Sequence, residues 1–395
     1  MTGNGMRIAM IGYTLYPSDP RVRRAAEALG EAGHQVDVFA VAHDAMKAGN
    51  GRGFLRLHLL RMRRQQSGGA RYAFEYGAFF AWAFAWVSIL HARRRYDVVY
   101  VHNMPNFLVF AGLLPKLTGA GIVLDVHDPA AELMACIRGR DLPPWLRRLV
   151  DAEERVSMSF SDAFITVNES MRRRLSAMTR RPVTVVMNLP DPALFAPPQE
   201  PRDRESPAWV VYSGSVAERH GVDLVVRALA LLAGEYPSLR FRILGEGPAV
   251  EPVMRLAREL AVADRVEFRG FVPNDEIPSV LNGATAGISS QREGTFGALV
   301  FSMKVAEYVA LGLPVVCSGI ATMRHYFSAD ELLFFEPGSA ADLARAIREL
   351  LADPAAAEER AVRSLIKLDK LDWPGQKETL VATVESVARG RRTRR

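Results

Sequence analysis

The chain has 395 residues, 49% of them hydrophobic and 24% charged; that length exceeds the usual size of one core, and the composition excludes a disordered or fibrous architecture. Its net charge of +6 is unevenly spread: residues 1–190 hold 25 Lys/Arg against 16 Asp/Glu, residues 191–388 hold 20 against 28, and Arg389 to Arg395 add five arginines. A basic half beside an acidic half points to an anionic partner for the former, and at this level nucleic acid and an anionic membrane surface both fit.

The two cysteines, Cys136 and Cys317, exclude a disulfide framework and fit a reducing compartment. Met1 leads into a strand pattern with no signal-peptide core, so a cytoplasmic protein is expected.

In chain order, the apolar run Arg7 to Gly12 reads as a buried parallel strand that Gly12 closes. A helix follows from about Pro20 to Ala32, with Val22, Ala25, Ala26 and Leu29 on one face and Gly33 as its stop. Further strands are predicted over 36–41, 97–101, 121–126, 163–167 and 183–187, separated by helices near 72–94, 104–118, 143–160 and 168–178. This alternation implies a parallel sheet covered on both faces. Residues 188–207 contain six prolines and read as a linker.

The same grammar then restarts. Strands are expected over 209–212, 240–244, 265–268, 284–288, 314–317 and 332–335, with helices near 221–234, 249–261, 275–282, 300–311 and 340–352. The fold class is therefore α/β, with two doubly wound Rossmann-like domains over 1–190 and 191–375 facing a cleft, and a C-terminal helix at about 376–395 returning to the first. Ligands of such sheets sit at the carboxyl ends of the strands.

Residues 72–90 carry Glu75 as their only charge and hold Phe74, Phe79, Phe80, Trp82, Phe84 and Trp86. Fifteen uncharged residues follow Glu75 before His91, short of the roughly 20 a spanning helix needs. A buried domain helix and a surface dipping into a membrane are the competing expectations, and the arginines on either side favour the second over a span.

The strongest local signal is Val210-Val-Tyr-Ser-Gly-Ser-Val-Ala-Glu-Arg-His-Gly221, a strand entering a glycine-containing loop before a helix. Such a turn offers backbone N–H groups to an anion, with Arg219 and His220 adding side chains. Ile243-Leu-Gly-Glu-Gly-Pro248, Phe268-Arg-Gly-Phe-Val-Pro273 and Ser302-Met-Lys-Val-Ala-Glu-Tyr-Val-Ala-Leu-Gly-Leu-Pro314 follow in order. Together these resemble the C-terminal half of a GT-B glycosyltransferase of the retaining family 4 type. Ser18-Asp-Pro-Arg-Val, Gly33-His-Gln-Val-Asp-Val, Tyr96-Asp-Val-Val-Tyr-Val-His102 and Leu124-Asp-Val-His-Asp128 resemble the family's first half.

By that resemblance Glu307 binds the donor ribose, since a carboxylate can accept from two vicinal hydroxyls. Lys304 reaches phosphate, and Gly214, Ser215, Gly245, Glu246, Gly247, Phe271 and Val272 line the nucleotide. His127 matches a position close to the transferred sugar, with Asp128 and Glu132 as lesser candidates, and Gly12 belongs to a loop on the acceptor side. Two departures stand out: the family's loop arginine and lysine are replaced by Ser215 and His220, leaving Arg219 with His220 to neutralise the diphosphate. Leu299 takes the place of the first acid of the usual Glu-x7-Glu, and Glu293 is the nearest substitute.

No G-x-G-x-x-G follows the first strand, which argues against a nicotinamide or flavin enzyme, and no His/Cys/Asp spacing suits a metal. The expected function is retaining transfer of a hexose from a nucleotide-diphospho-sugar, UDP-sugar before GDP-mannose, to a glycan or lipid-linked acceptor in surface polysaccharide or glycolipid assembly. Peripheral contact with an anionic membrane is expected; a cofactor, a metal and nucleic acid are not. The rival functions are a nucleotide-sugar epimerase or hydrolase of the same shape, and a non-catalytic nucleotide-sugar-binding scaffold.

Overall fold

A computed structural model describes residues 5–16, 18–42, 53–62, 69–198 and 207–392. Its contacts divide the chain into two compact units, Met1–Met187 with Trp373–Arg395, and Asn188–Asp372.

The first unit is built on β1 (Arg7–Leu15), β2 (Gln35–Ala42), β3 (Leu55–Arg61), β4 (Val98–His102), β5 (Gly121–Val126), β6 (Ala163–Thr166) and β7 (Val183–Val185). They form one parallel sheet in the order β3-β2-β1-β4-β5-β6-β7. Helices α1 (Pro20–Glu31), α2 (Gly69–Arg94), α3 (Leu113–Leu117), α4 (Ala130–Arg138), α5 (Pro144–Phe160) and α6 (Glu169–Ser176) belong to this unit. Strands β4 and β5 are buried along their whole length, which is why they read as unbroken apolar runs. α1 starts where Asp19 accepts from the N–H groups of Arg21 and Val22, with Pro20 in the first turn.

The second unit repeats the plan. Strands β8 (Trp209–Ser213), β9 (Arg240–Leu244), β10 (Val266–Gly270), β11 (Ala286–Ser289), β12 (Val315–Ser318) and β13 (Leu333–Phe335) run parallel in the order β10-β9-β8-β11-β12-β13. Around them lie α7 (Val222–Leu231), α8 (Val250–Glu259), α9 (Ile277–Leu281), α10 (Met303–Ala310), α11 (Ala321–Tyr326), α12 (Ala340–Ala352) and α13 (Pro354–Asp369). In both sheets the strand order reverses beside the first strand of the unit, between β1 and β4 and between β8 and β11, the position at which sheets of this kind bind ligands.

α14 (Trp373–Arg392) closes the first unit. Gln376 accepts from the Met187 N–H at 2.7 Å, Lys377 pairs with Glu31 at 2.6 Å, and Arg391 pairs with Asp162 at 2.5 Å. Val387 fills the space at Gly121, where a Cβ would come within 2.3 Å of its Cγ1. The basic tail is thus partly paired on its own unit; Arg394 and Arg395 lie outside the described residues, as do residues 199–206 of the proline-rich segment.

Several expectations are corrected. The predicted helix over 104–118 is a 3-10 turn, Asn106–Gly112, followed by the short α3, because Pro115 has no N–H to continue an α-helical ladder. β1 does not end at Gly12; it runs on to Leu15 across a register shift, held by buried Tyr13, which donates to Glu75 at 2.8 Å. β3, a half-buried edge strand carrying Arg56, His58 and Arg61, gives no clean alternation and is not among the predicted strands; α4, α11 and α13 are likewise additions.

α2 presents two apolar faces. Phe79, Ala83, Val87 and Leu90 are buried, and Glu75 lies buried between Tyr13 and Arg71, whose Nε stands 3.1 Å away. Phe74, Trp86 and Ile89 are exposed. Ala73–Arg94 is long and apolar enough to span a membrane by length and composition, and 28% of its most apolar stretch is buried in the protein.

Candidate functional site

At the reversal point of the second sheet, the chain leaves β8 through Gly214 and climbs through a 3-10 turn, Glu218–His220, to α7. Three glycines here have left-handed backbones that leave no room for a side chain: a Cβ would lie 2.1 Å from the Ser290 carbonyl at Gly221, 2.0 Å from the Gly214 carbonyl at Gly245 and 2.2 Å from the Val216 carbonyl at Gly247. The two loops are laced together. Gly214 donates to the Leu244 carbonyl, Val216 to that of Glu246, and Gly245 to that of Gly270, each at 2.7–2.8 Å. That last bond brings the segment holding Phe271, which is 71% exposed, and half-buried Val272 to the edge of the same cradle.

The loop after β11 anchors the turn from the other side. Ser290 donates to the His220 carbonyl at 2.8 Å, the Arg292 N–H to the Arg219 carbonyl at 2.9 Å, and the Arg292 guanidinium pairs with Asp223 at 2.6 Å. Glu293, next along, is exposed, and so is Ser215. Neither Ser290 nor Arg292 is a motif residue, and the sequence offered no signal for them beyond proximity to Glu293.

α10 supplies the charges. Lys304 packs its Cε 3.5 Å from where a Gly214 Cβ would stand, with its ammonium 5.0 Å from the Tyr212 ring centre. Tyr308, one turn on, accepts from the Ser213 N–H at 2.8 Å, pinning the helix to the start of the loop. Burial pushes the Lys304 ammonium down to about 8 against the opposing pull of Glu307. Burial likewise pushes the Glu307 carboxyl up to about 7 against the pull of Lys304. His220 falls to about 3 through burial and the cations Lys304 and Arg219, so its ring is neutral at neutral pH. The expectation that His220 helps neutralise a diphosphate by its charge is therefore corrected: it can offer hydrogen bonds, and the cationic charge rests on Arg219 and Lys304.

The reversal point of the first sheet carries different chemistry. His102 ends β4 directly opposite Asp125 on β5, and His127 follows two residues later. Asp125 is held by the Arg21 guanidinium at 2.6 and 3.0 Å and by the Tyr100 hydroxyl at 2.8 Å, with the His102 Nδ1 at 3.2 Å. Burial alone would raise the Asp125 carboxyl; Arg21 and His102 override it and hold it far below the usual carboxylate range. The His127 backbone N–H donates to Asn103 at 3.0 Å, its Nδ1 is buried with no hydrogen-bond partner among the described residues, and burial lowers its basicity.

Gly12 borders this cluster, and a Cβ there would meet His102 Cβ at an ordinary 3.6 Å. Asp128 spends its carbonyl on Asn103, while Glu132 is paired with Arg147 at 2.8 Å, so Glu132 is a structural ion pair rather than a free acid. One nitrogen each from His102 and His127 and a carboxylate oxygen from Asp125 lie within 4.8 Å of one another, a grouping with metal-ligand chemistry that the sequence spacing did not reveal. Arg21 already supplies a cation to that carboxylate, which disfavours a second.

Two family comparisons match these two halves. Residues 197–364 match the family described as Glycosyl transferases group 1, and residues 18–189 match the Glycosyl transferase 4-like domain. The chain belongs to the group 1 glycosyltransferases. Its relatives include a glycogen synthase of Mycobacterium tuberculosis, 29% identical over 233 residues that cover 58% of this chain and 55% of that protein, so the chain spans about half the length of that relative. The 2-deoxystreptamine glucosyltransferase of Streptomyces kanamyceticus is 28% identical over 306 residues, 72% of this chain and 76% of that one. Among solved structures, the sucrose-phosphate synthase of Thermosynechococcus elongatus superposes with a TM-score of 0.76 at 20% identity, over 97% of this chain and 99% of that one, a likeness of GT-B fold. In this chain, then, the glycine cradle lies in the group 1 half and the histidine cluster in the 4-like half.

Proposed function

We propose that this glycosyltransferase moves a hexosyl group from a nucleotide-diphospho-sugar, UDP-linked in preference to GDP-linked, to a hydroxyl of a glycan or lipid-linked acceptor. The observation that carries the proposal is the cradle of Gly214, Gly221, Gly245 and Gly247. At Gly221, Gly245 and Gly247 its backbone has no room for side chains, its loops are bonded to one another, and Lys304 and Arg219 border it. Cations held beside one rigid loop stabilise the charge that develops as a diphosphate leaves. Glu307, ionised, would accept from the two ribose hydroxyls.

Because Arg219 and Lys304 supply the positive charge themselves, the reaction is proposed to proceed without a metal, and with retention of configuration as the family resemblance implies. His127, whose Nδ1 has no hydrogen-bond partner among the described residues, would hydrogen-bond the sugar or the acceptor. A cytoplasmic protein lying on an anionic membrane during polysaccharide or glycolipid assembly is the setting we propose. The exposed Phe74, Trp86 and Ile89 of α2, with Leu114 and Leu117 of α3 and the exposed Arg71, Arg93 and Arg95, support it. Phe79, named as part of that surface by sequence, is core and is not available to lipid.

The test is a thermal-shift screen against UDP- and GDP-sugars followed by product analysis. A ligand at a hundred times its dissociation constant adds about 2.7 kcal/mol. No stabilisation by any nucleotide sugar would end the proposal, and donor turnover that never needs an acceptor would favour an epimerase or hydrolase.

A further inference from the structure

At the reversal point of the second sheet, β8 outruns one of its two neighbours. Towards β9 its ladder continues through Ser213, opposite Leu244, and on to the Gly214 N–H, which donates to the Leu244 carbonyl at 2.8 Å. Towards β11 it pairs Val210 with Ala286 and Val211 with Gly287, and ends there. Successive N–H groups of a strand point to opposite sides, so the Ser213 N–H faces the side that β11 has left. Ser213 is buried, and a buried N–H without a partner is costly. A side chain takes the strand's place: the Tyr308 hydroxyl accepts from that N–H at 2.8 Å and lies 3.1 Å from the Ser213 Oγ. The fully buried ring reaches it by crossing the backbone of β11, where a Cβ at Gly287 would come within 2.2 Å of the ring.

α10 is thereby fastened twice, by Tyr308 to the end of β8 and by the Ser302 Oγ, 3.1 Å from the Ser289 Oγ, to the end of β11. Lys304 and Glu307 lie between the two fastenings, and the Lys304 ammonium stands over the ring of Tyr212, whose hydroxyl closes the glycine turn by donating to the Ser215 carbonyl at 2.7 Å. We propose that Tyr308 is a positioning residue, which fixes Lys304 and Glu307 against the glycine turn so that the donor meets them in a single arrangement. The role in donor binding rests on the proposed function; the fastening of the helix does not. Misplacing such groups by about 1 Å can cost on the order of 100-fold, so a bond at the root of the helix reaches the chemistry without touching the substrate.

The test is Tyr308→Phe in the full chain, which keeps the ring and removes the oxygen, set beside Leu343→Ala, a truncation on α12 in the core of the same unit. In calorimetry with UDP-glucose and GDP-mannose, Tyr308→Phe should weaken the donor by about tenfold or more. Leu343→Ala should stay within about threefold. A ligand-free readout is 13C-lysine NMR, with Lys304 assigned by Lys304→Met. Burial holds the Lys304 ammonium down at about 8, where it faces Glu307 on its own helix, Arg219 on the turn and Cys317 on β12. A helix cut loose returns the ammonium to water, so its titration should move up in Tyr308→Phe and stay in place in Leu343→Ala. An unmoved Lys304 titration, donor affinity within threefold, or equal losses in both variants overturns the proposal. Rapid exchange of the Ser213 amide in the unaltered protein overturns it too, whether or not a variant folds. Should the unaltered protein bind neither nucleotide sugar, the proposed function fails, and the Lys304 titration alone decides whether Tyr308 fixes the lysine.

Discussion

The two sheets share one strand order and reverse it at equivalent places, but they fill those places with opposite materials. At the end of β8 the chain removes side chains and offers backbone; at the ends of β4 and β5 it crowds in His102, Asp125 and His127 and braces them with Arg21 and Tyr100. Bare, tightly bonded loops and a packed group of titratable side chains suit ligands of different size and charge. The difference teaches that in a repeated architecture the chemistry lives in what stands at the strand ends.

The comparison can be broken most severely in the first unit. Asp125→Ala leaves the Arg21 guanidinium buried without its partner and should cost about 3–5 kcal/mol of stability in denaturant unfolding. Lys304→Met should leave the fold intact and lower kcat/KM for the donor by roughly 100- to 1,000-fold, as the loss of one charge-stabilising group does. Glycine substitutions sharpen the contrast. Gly245→Ala forces a Cβ onto the Gly214 carbonyl at a positive φ, and should cost about 1–3 kcal/mol and abolish the nucleotide-induced thermal shift. Gly12→Ala meets only ordinary contacts and should change stability by less than about 0.5 kcal/mol.

Acidity separates the units more gently. Donor affinity should rise as pH passes about 7, where Glu307 ionises, and fall above about 8, where Lys304 loses its proton, giving a bell in calorimetric titrations. The smallest effect is expected at the exposed apolar face. Replacing Phe74, Trp86 and Ile89 with serine should reduce liposome flotation while leaving donor binding unchanged; failure of the unaltered protein to float would remove the membrane setting.

Much of this was legible in the residues. The doubled strand–helix grammar located most of both sheets, because buried parallel strands have no polar face to disguise them. Gly214, Gly221, Gly245, Gly247, Lys304 and Glu307 were visible because close backbone approach and a one-turn spacing leave a mark in sequence. The brace around Asp125 was not. Arg21 and Asp125 stand 104 positions apart, and only the order of strands in the sheet brings them together. His220 misled for a different reason: its side chain is the right type, but burial beside two cations strips its charge, which no motif records. β3 stayed hidden because an edge strand half in water alternates poorly.

The path of the chain has one more consequence. The second unit is inserted into the first, and α14, the final twenty residues of described helix, supplies Val387 and Arg391 to a sheet whose strands were all made before Met187. Although it is translated first, the histidine-bearing unit is therefore finished last, after the second unit has already emerged whole. A ribosome stalled or a chain clipped near Asp372 would yield a complete second unit attached to a first with its core open to water.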